Sequence, residues 1–150
     1  MIEIMPYEQS DWASIEKAHD AARMQELTLA GLVDAFLPLS IAAEREDLFD
    51  YDLLVAKVGG EAVGFTAYTE EELAWLYVHP DYQRQGIGRM LAQAALANMH
   101  SGKKSVEVLC GNEPARALYR SLGFANEKII HGRMSGNEAF KVTVWELTLE

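Results

Sequence analysis

Between Leu76 and Arg89 the chain reads Leu-Tyr-Val-His-Pro-Asp-Tyr-Gln-Arg-Gln-Gly-Ile-Gly-Arg. An apolar run stops at Pro80, a polar loop follows, and Gly86 and Gly88 stand where an apolar-faced helix begins. Glycines there let the backbone turn tightly and bring its N–H groups against a ligand with no Cβ between. The first turn of a helix has unpaired N–H groups and the positive end of the dipole, so it favours an anion. Each such contact contributes about 0.3–1 kcal/mol at an exposed site. Several converging on a doubly charged pyrophosphate, with Arg84 and Arg89 alongside, make a usable site. The bland alternative is that the two glycines only make a loop.

Other phosphate-binding patterns fit poorly. A dinucleotide fingerprint needs a third glycine where this chain has Leu91. Glu107 has the spacing of the ribose acid, but the preceding hairpin is wrong for a repeated parallel βαβ unit. A Walker loop needs glycine where Ala97 precedes Gly102-Lys103. The single cysteine, Cys110, has no patterned histidine partner and reads as a small buried residue rather than a nucleophile. His19, His79, His100 and His131 are scattered without ligand spacing, so no metal is expected.

The elements that must position this loop fit a chain of 150 residues, the size of one domain. Hydrophobic residues make up 49% and charged residues 24%, a globular profile. The start lacks a signal peptide's charge and apolar run, and no stretch is long enough to span a bilayer. One cysteine fits a reducing compartment, so a cytoplasmic address is expected and a membrane partner is not. The net charge of −10 argues against nucleic acid. Its distribution is uneven: residues 1–75 carry 16 acidic and 4 basic side chains, residues 76–150 carry 7 and 9. This suits an anionic ligand on the second half and a cationic one steered by the first, although acidic solvated faces would explain it equally well.

Ile2, Ile4 and Pro6 suggest a first strand, and Ser10 or Asp11 caps a helix with Trp12, Ile15, Ala18, His19 and Ala22 at helical spacing. A second helical segment is expected over Leu27–Leu37, ending at Pro38. Strands follow at 53–58 and 62–69 around Gly59-Gly60, then at 73–79. A helix is expected over 86–99, a strand over 105–110, and a helix over 113–122 with Pro114 in its first turn and Gly123 as its cap. Strands at 124–131 and 140–149 close the chain. The order predicts a single mixed α/β domain over 1–150, with a predominantly antiparallel central sheet and helices on both faces.

Two of these segments resemble the GNAT superfamily of acyl-CoA-dependent N-acetyltransferases. Gln83-Arg84-Gln85-Gly86-Ile87-Gly88 is similar to its signature Q/R-x-x-G-x-G/A, and residues 112–124 are similar to its later motif N-x-x-A-x-x-x-Y-x-x-x-G-F. The two span residues 76 to 124 in the right order and spacing. The resemblance implies acetyl-CoA as co-substrate, with backbone groups of Leu76, Tyr77 and Val78 pairing with pantetheine beside a splayed strand. Gln83 belongs to the same signature, and the amides of Arg84, Gln85, Gly86, Ile87, Gly88 and Arg89 would hold the pyrophosphate. Asn112 would touch the pantetheine arm and Tyr119 would lie near the thioester sulfur. A phenol is a sensible acid for a departing thiolate; without the motif, Tyr119 would read as a core aromatic.

An ammonium must lose a proton before it attacks a thioester, so a carboxylate is useful nearby. Glu107 matches the glutamate of ribosomal-protein N-terminal acetyltransferases and ranks first, since a glutamate within a valine-rich strand asks for an explanation. Glu72 matches the position used by histone-type enzymes but sits in Glu70-Glu71-Glu72, which also reads as a solvated turn. Relatives without a single base leave a third option. Trp75, Tyr77 and His79 share a strand face and are candidates for lining the acceptor pocket. The expected acceptor is a primary amine of a small cationic molecule or of a peptide or protein. A non-catalytic acyl-CoA-sensing module of the same fold is the alternative. Homodimers are common among such proteins, and Thr143–Leu147 reads as a strand available for pairing.

Overall fold

The computed structural model describes all 150 residues, Met1–Glu150. Strand β1 (Ile2–Pro6) leads through a 3-10 turn into helix α1 (Trp12–Ala30). The buried Asp11 carboxylate fixes that entry. It accepts the Glu8 amide at 2.9 Å and pairs with Lys57 Nζ at 3.2 Å, tying the helix start to strand β2 (Asp52–Val58). Gly31, at φ +71°, ends α1 in the left-handed conformation that glycine adopts without steric cost.

Helix α2 (Leu39–Arg45) begins immediately after Pro38, and this corrects the expectation of a second helix over 27–37. Leu27–Ala30 is the last turn of α1, and Pro38 opens the next helix rather than closing one. A proline's fixed φ suits a helix entry as well as an exit. The carboxylate of Asp20 takes the Leu39 amide at 2.8 Å and so pins α2 to α1.

Strands β2, β3 (Glu61–Tyr68) and β4 (Leu73–Val78) join β1 in an antiparallel sheet ordered β1-β2-β3-β4. Helix α3 (Ile87–Asn98), strand β5 (Lys104–Leu109) and helix α4 (Glu113–Ser121) follow. Strands β6 (Ala125–Met134) and β7 (Asn137–Leu149) end the chain as a long hairpin. The second sheet, also antiparallel, runs β5-β7-β6. The expected antiparallel pairing and helices on both faces are present, but the sheet is in two parts. Between β4 and β5 there is a single parallel bridge, Glu72 to Ser105, with the Ser105 amide on Glu71 O at 2.8 Å. Beyond it the two strands splay apart. Thr143–Leu147 is not free for pairing, because β7 is the middle strand, bonded to β5 on one side and β6 on the other.

The core lies on both faces of the sheets. Ile15 and Leu39 of α1 and α2 pack on Phe65 and Trp75. On the opposite face, Ile87 and Leu91 of α3 cover Val63 and Val78. Ala92 and Ala95 meet Val106, Val108, Tyr119 and Phe124, their small side chains letting α3 approach the divergence between the sheets. Full burial of a leucine such as Leu91 contributes about 1.5–3 kcal/mol, so the walls of the divergence are held rigidly.

Candidate active site

The loop before α3 has the character of an anion cradle. Gly86 caps the helix at φ +82°, and Arg84 holds the left-handed region at φ +65°, which a side chain makes costly and which recurs at functional sites. After Gln83, the next backbone amide to donate within the chain is that of Met90, to Gly86 O at 3.0 Å. The six amides from Arg84 to Arg89 are therefore free to hold an external anion. Both arginine side chains are exposed here, with Arg89 Nη2 resting on Ser121 Oγ. The Gln83 side chain turns the other way, donating to Val78 O at 3.0 Å and Gln25 Oε1 at 2.8 Å.

A cavity of about 860 Å³ runs from this cradle into the gap between β4 and β5. Leu76, Tyr77 and Val78 line it from β4, and Asn112 and Tyr119 from the α4 side. Asn112 caps α4, accepting the Ala115 amide at 3.3 Å, while its Nδ2 donates to Glu26 Oε2 at 3.3 Å. Its amide group thus joins α4 to α1. The other Glu26 oxygen takes the Tyr77 hydroxyl at 3.0 Å and Arg23 Nη1 at 2.5 Å, with Arg23 Nη2 on Met134 Sδ at 3.5 Å. Gly111 makes this approach of α1 to the β5–α4 turn possible. It adopts φ +107°, and a Cβ there would meet Leu29 O at 2.5 Å.

Tyr119 is 5% exposed and lines the cavity. No buried side-chain polar atom lacks a partner, and no protein group bonds the Tyr119 hydroxyl, so that hydroxyl opens into the cavity. Burial, then the Glu26 charge, raises its pKa and keeps it protonated. It is a protonated phenol facing the cavity.

Carboxylates gather at the other end. Glu107 and Glu72 both line the cavity. Glu107 is exposed, because β5 alternates and it is Val106 and Val108 that enter the core; it is not a buried glutamate in an apolar strand. Partial burial against the sheet, then the Glu146 charge, raises its pKa. Burial, then Glu107 and Glu146, raises that of Glu72, which belongs to the strand junction rather than to a solvated turn. Glu46 at the end of α2 is pushed up to about 7 by burial, with Arg23 opposing and Glu138 assisting.

Trp75 and Tyr77 line the cavity; His79 does not, its Nδ1 accepting the Asp81 amide in the turn after β4. Three residues of α1 also reach the cavity, His19 from a position with core spacing and Arg23 and Glu26 from outside any sequence motif. They recur at i, i+4 and i+7, one helix face, and a polar stripe inside an apolar one is the signal that marks them.

Residues 49–126, more than half of the chain, match the model of the acetyltransferase (GNAT) domain. Over 89 residues the chain is 37% identical to the N-alpha-acetyltransferase RimI of Mycobacterium tuberculosis, covering 58% of this chain and 56% of that protein. The chain thus spans about half the length of that relative. Among solved structures, a GCN5-related N-acetyltransferase from Rhodopseudomonas palustris superposes with a TM-score of 0.78 at 20% identity, over 97% of this chain and 93% of the other. The PaiA N-acetyltransferase from Thermoplasma acidophilum, solved in complex with coenzyme A, gives 0.66 at 18% identity over 97% and 98%. These two likenesses are of fold. With the family model, the free amides and the splayed strands in agreement, the chain belongs to the acetyltransferase (GNAT) family.

Proposed function

We propose that this protein moves an acetyl group from acetyl-CoA directly to the primary amine of a small cationic molecule or of a peptide. One observation carries the reading: a single cavity joins five residues with unpaired amides, Arg84 and Gly86 to Arg89, to the unpartnered hydroxyl of Tyr119, while Gln85 lies outside its lining. The amides and the two arginines hold the diphosphate, and the open edge of β4 guides pantetheine through the gap. Tyr119 then donates its proton to the thiolate as the C–S bond breaks. Glu107 and Glu72, with Glu46 partly ionised near pH 7, make the acceptor end anionic and draw in a cation. Of the carboxylates, Glu107 ranks first as proton acceptor, because it lines the cavity and matches the glutamate of ribosomal-protein N-terminal acetyltransferases.

Thiol release from acetyl-CoA, measured against polyamines, aminoglycosides, lysine and free-N-terminus peptides, tests this. Turnover with at least one cationic amine, lost in Tyr119→Phe, is the expected result. Tight acetyl-CoA binding with no turnover on any amine would favour the acyl-CoA-sensing module instead.

A further inference from the structure

A buried histidine on α1 has no role in the transfer described so far. His19 is 2% exposed and lies edge-on to Tyr77, ring centroids 4.8 Å apart, with Trp75 at 6.0 Å. Its Nδ1 is 2.9 Å from Asp20 Oδ1. An ionised carboxylate only accepts, so Nδ1 carries the proton and Nε2 keeps its lone pair. The same Asp20 oxygen is held by the Leu39 amide at 2.8 Å, which prevents the carboxylate from swinging away. Nε2 has no partner in the protein, yet no side-chain polar atom is both buried and unpaired, and His19 lines the cavity. The lone pair therefore faces the cavity.

We propose that His19, oriented by Asp20, accepts the proton that the acceptor ammonium gives up, directly or through one water. The inference rests on the acyl-transfer reading above. The ring is faced by Asp20, Arg23 and Glu26 along α1 and by Tyr77 and Trp75 from β4, and Glu46 from α2 acts on Arg23 and Tyr77 behind them. Burial lowers the imidazole pKa against the pull of Asp20, leaving the ring neutral near pH 7. A neutral base adds no further anion to an end already crowded by the carboxylates of Glu72 and Glu107. In this assignment the carboxylates, Glu107 among them, attract the ammonium, and His19 takes Glu107's place as the group that deprotonates it.

The proton count closes. One ammonium proton passes to Nε2, and the freed lone pair forms the C–N bond at the thioester carbonyl. The C–S bond breaks, and the sulfur takes the Tyr119 proton. The second proton on nitrogen returns the tyrosine to its neutral form through solvent. The imidazolium then releases its proton to solvent, so one proton is set free per turnover.

Two measurements test this. In His19→Gln, kcat/KM for the amine should fall at least 100-fold at pH 7.5 with the KM for acetyl-CoA unchanged. The deficit should shrink as pH rises toward the amine's own pKa, where substrate deprotonates itself. Activity within threefold of the parent, or a loss independent of pH, overturns the assignment. Nitrogen-15 NMR of the parent, with the His19 ring assigned by through-bond correlation to its own backbone amide, reads the tautomer without any turnover. A neutral ring protonated at Nδ1 at pH 7 is expected; a ring protonated at Nε2 overturns the proposal even if the variant does not fold. A parent that binds acetyl-CoA yet acetylates nothing refutes the acyl-transfer reading, whereas the tautomer refutes His19 alone.

Discussion

Tyr77 on β4 donates its hydroxyl proton to Glu26 on α1 at 3.0 Å, across 51 residues of chain. The second Glu26 oxygen receives the Asn112 amide, so one carboxylate joins β4, α1 and the cap of α4. Its companion Arg23 is largely buried, and removing the carboxylate would strand that charge. Glu26→Gln is expected to cost about 3 kcal/mol. For a chain of this size that lowers Tm by about 6–12 °C. Tyr77→Phe removes one hydrogen bond and should cost about 1 kcal/mol. Thermal melts of the two variants give the order, and equal losses would contradict it.

Tyr119→Phe deletes a hydroxyl that bonds to nothing in the protein. Its Tm should stay within about 1 °C of the parent, while kcat falls about 100-fold, the usual scale for a positioned general acid. A large fall in Tm would mean the hydroxyl holds the fold.

Gly88 stands at the helix start, where a Cβ would make ordinary contact with Leu118 at 3.6 Å. Gly88→Ala should therefore leave stability and coenzyme A affinity nearly intact. Gly88→Asp puts an anion against the diphosphate and should weaken binding about 100-fold by calorimetry. Equal affinity in the two variants would remove the diphosphate from this loop.

Glu46 is held at about 7 in the folded chain. A carboxylate raised above its unfolded value near 4.5 contributes stability that is complete below pH 4.5 and lost as pH rises through about 7. Glu46→Gln, which keeps the volume beside Gly136, should gain about 1 kcal/mol at pH 8, after allowance for solvent screening, and nothing at pH 4.5. Urea titrations at both values check the sign.

The anion cradle was legible because glycine spacing and helix onset are local features, and Gly86 and Gly88 sit where the chain reads as turning into α3. Asn112, Tyr119, Glu107 and Glu72 line one cavity. The region from Leu27 to Arg45 was misread because Pro38 ends or starts a helix equally well, and the Asp20 carboxylate that decides between them is distant in sequence. Glu107 misled for another reason: strand alternation, not the composition of its neighbours, decides which side chain is buried. Glu26 and Arg23 escaped notice because their partners, Tyr77, Asn112 and Met134, come together only when the two sheets diverge.

A crystal structure of the acetyl-CoA complex tests the central claim most directly. The account predicts the diphosphate on the amides of Arg84–Arg89 and the thioester sulfur within about 3–3.5 Å of the Tyr119 hydroxyl, a near-attack separation. A diphosphate bound elsewhere, or a sulfur pointing away from Tyr119 into solvent, would contradict it.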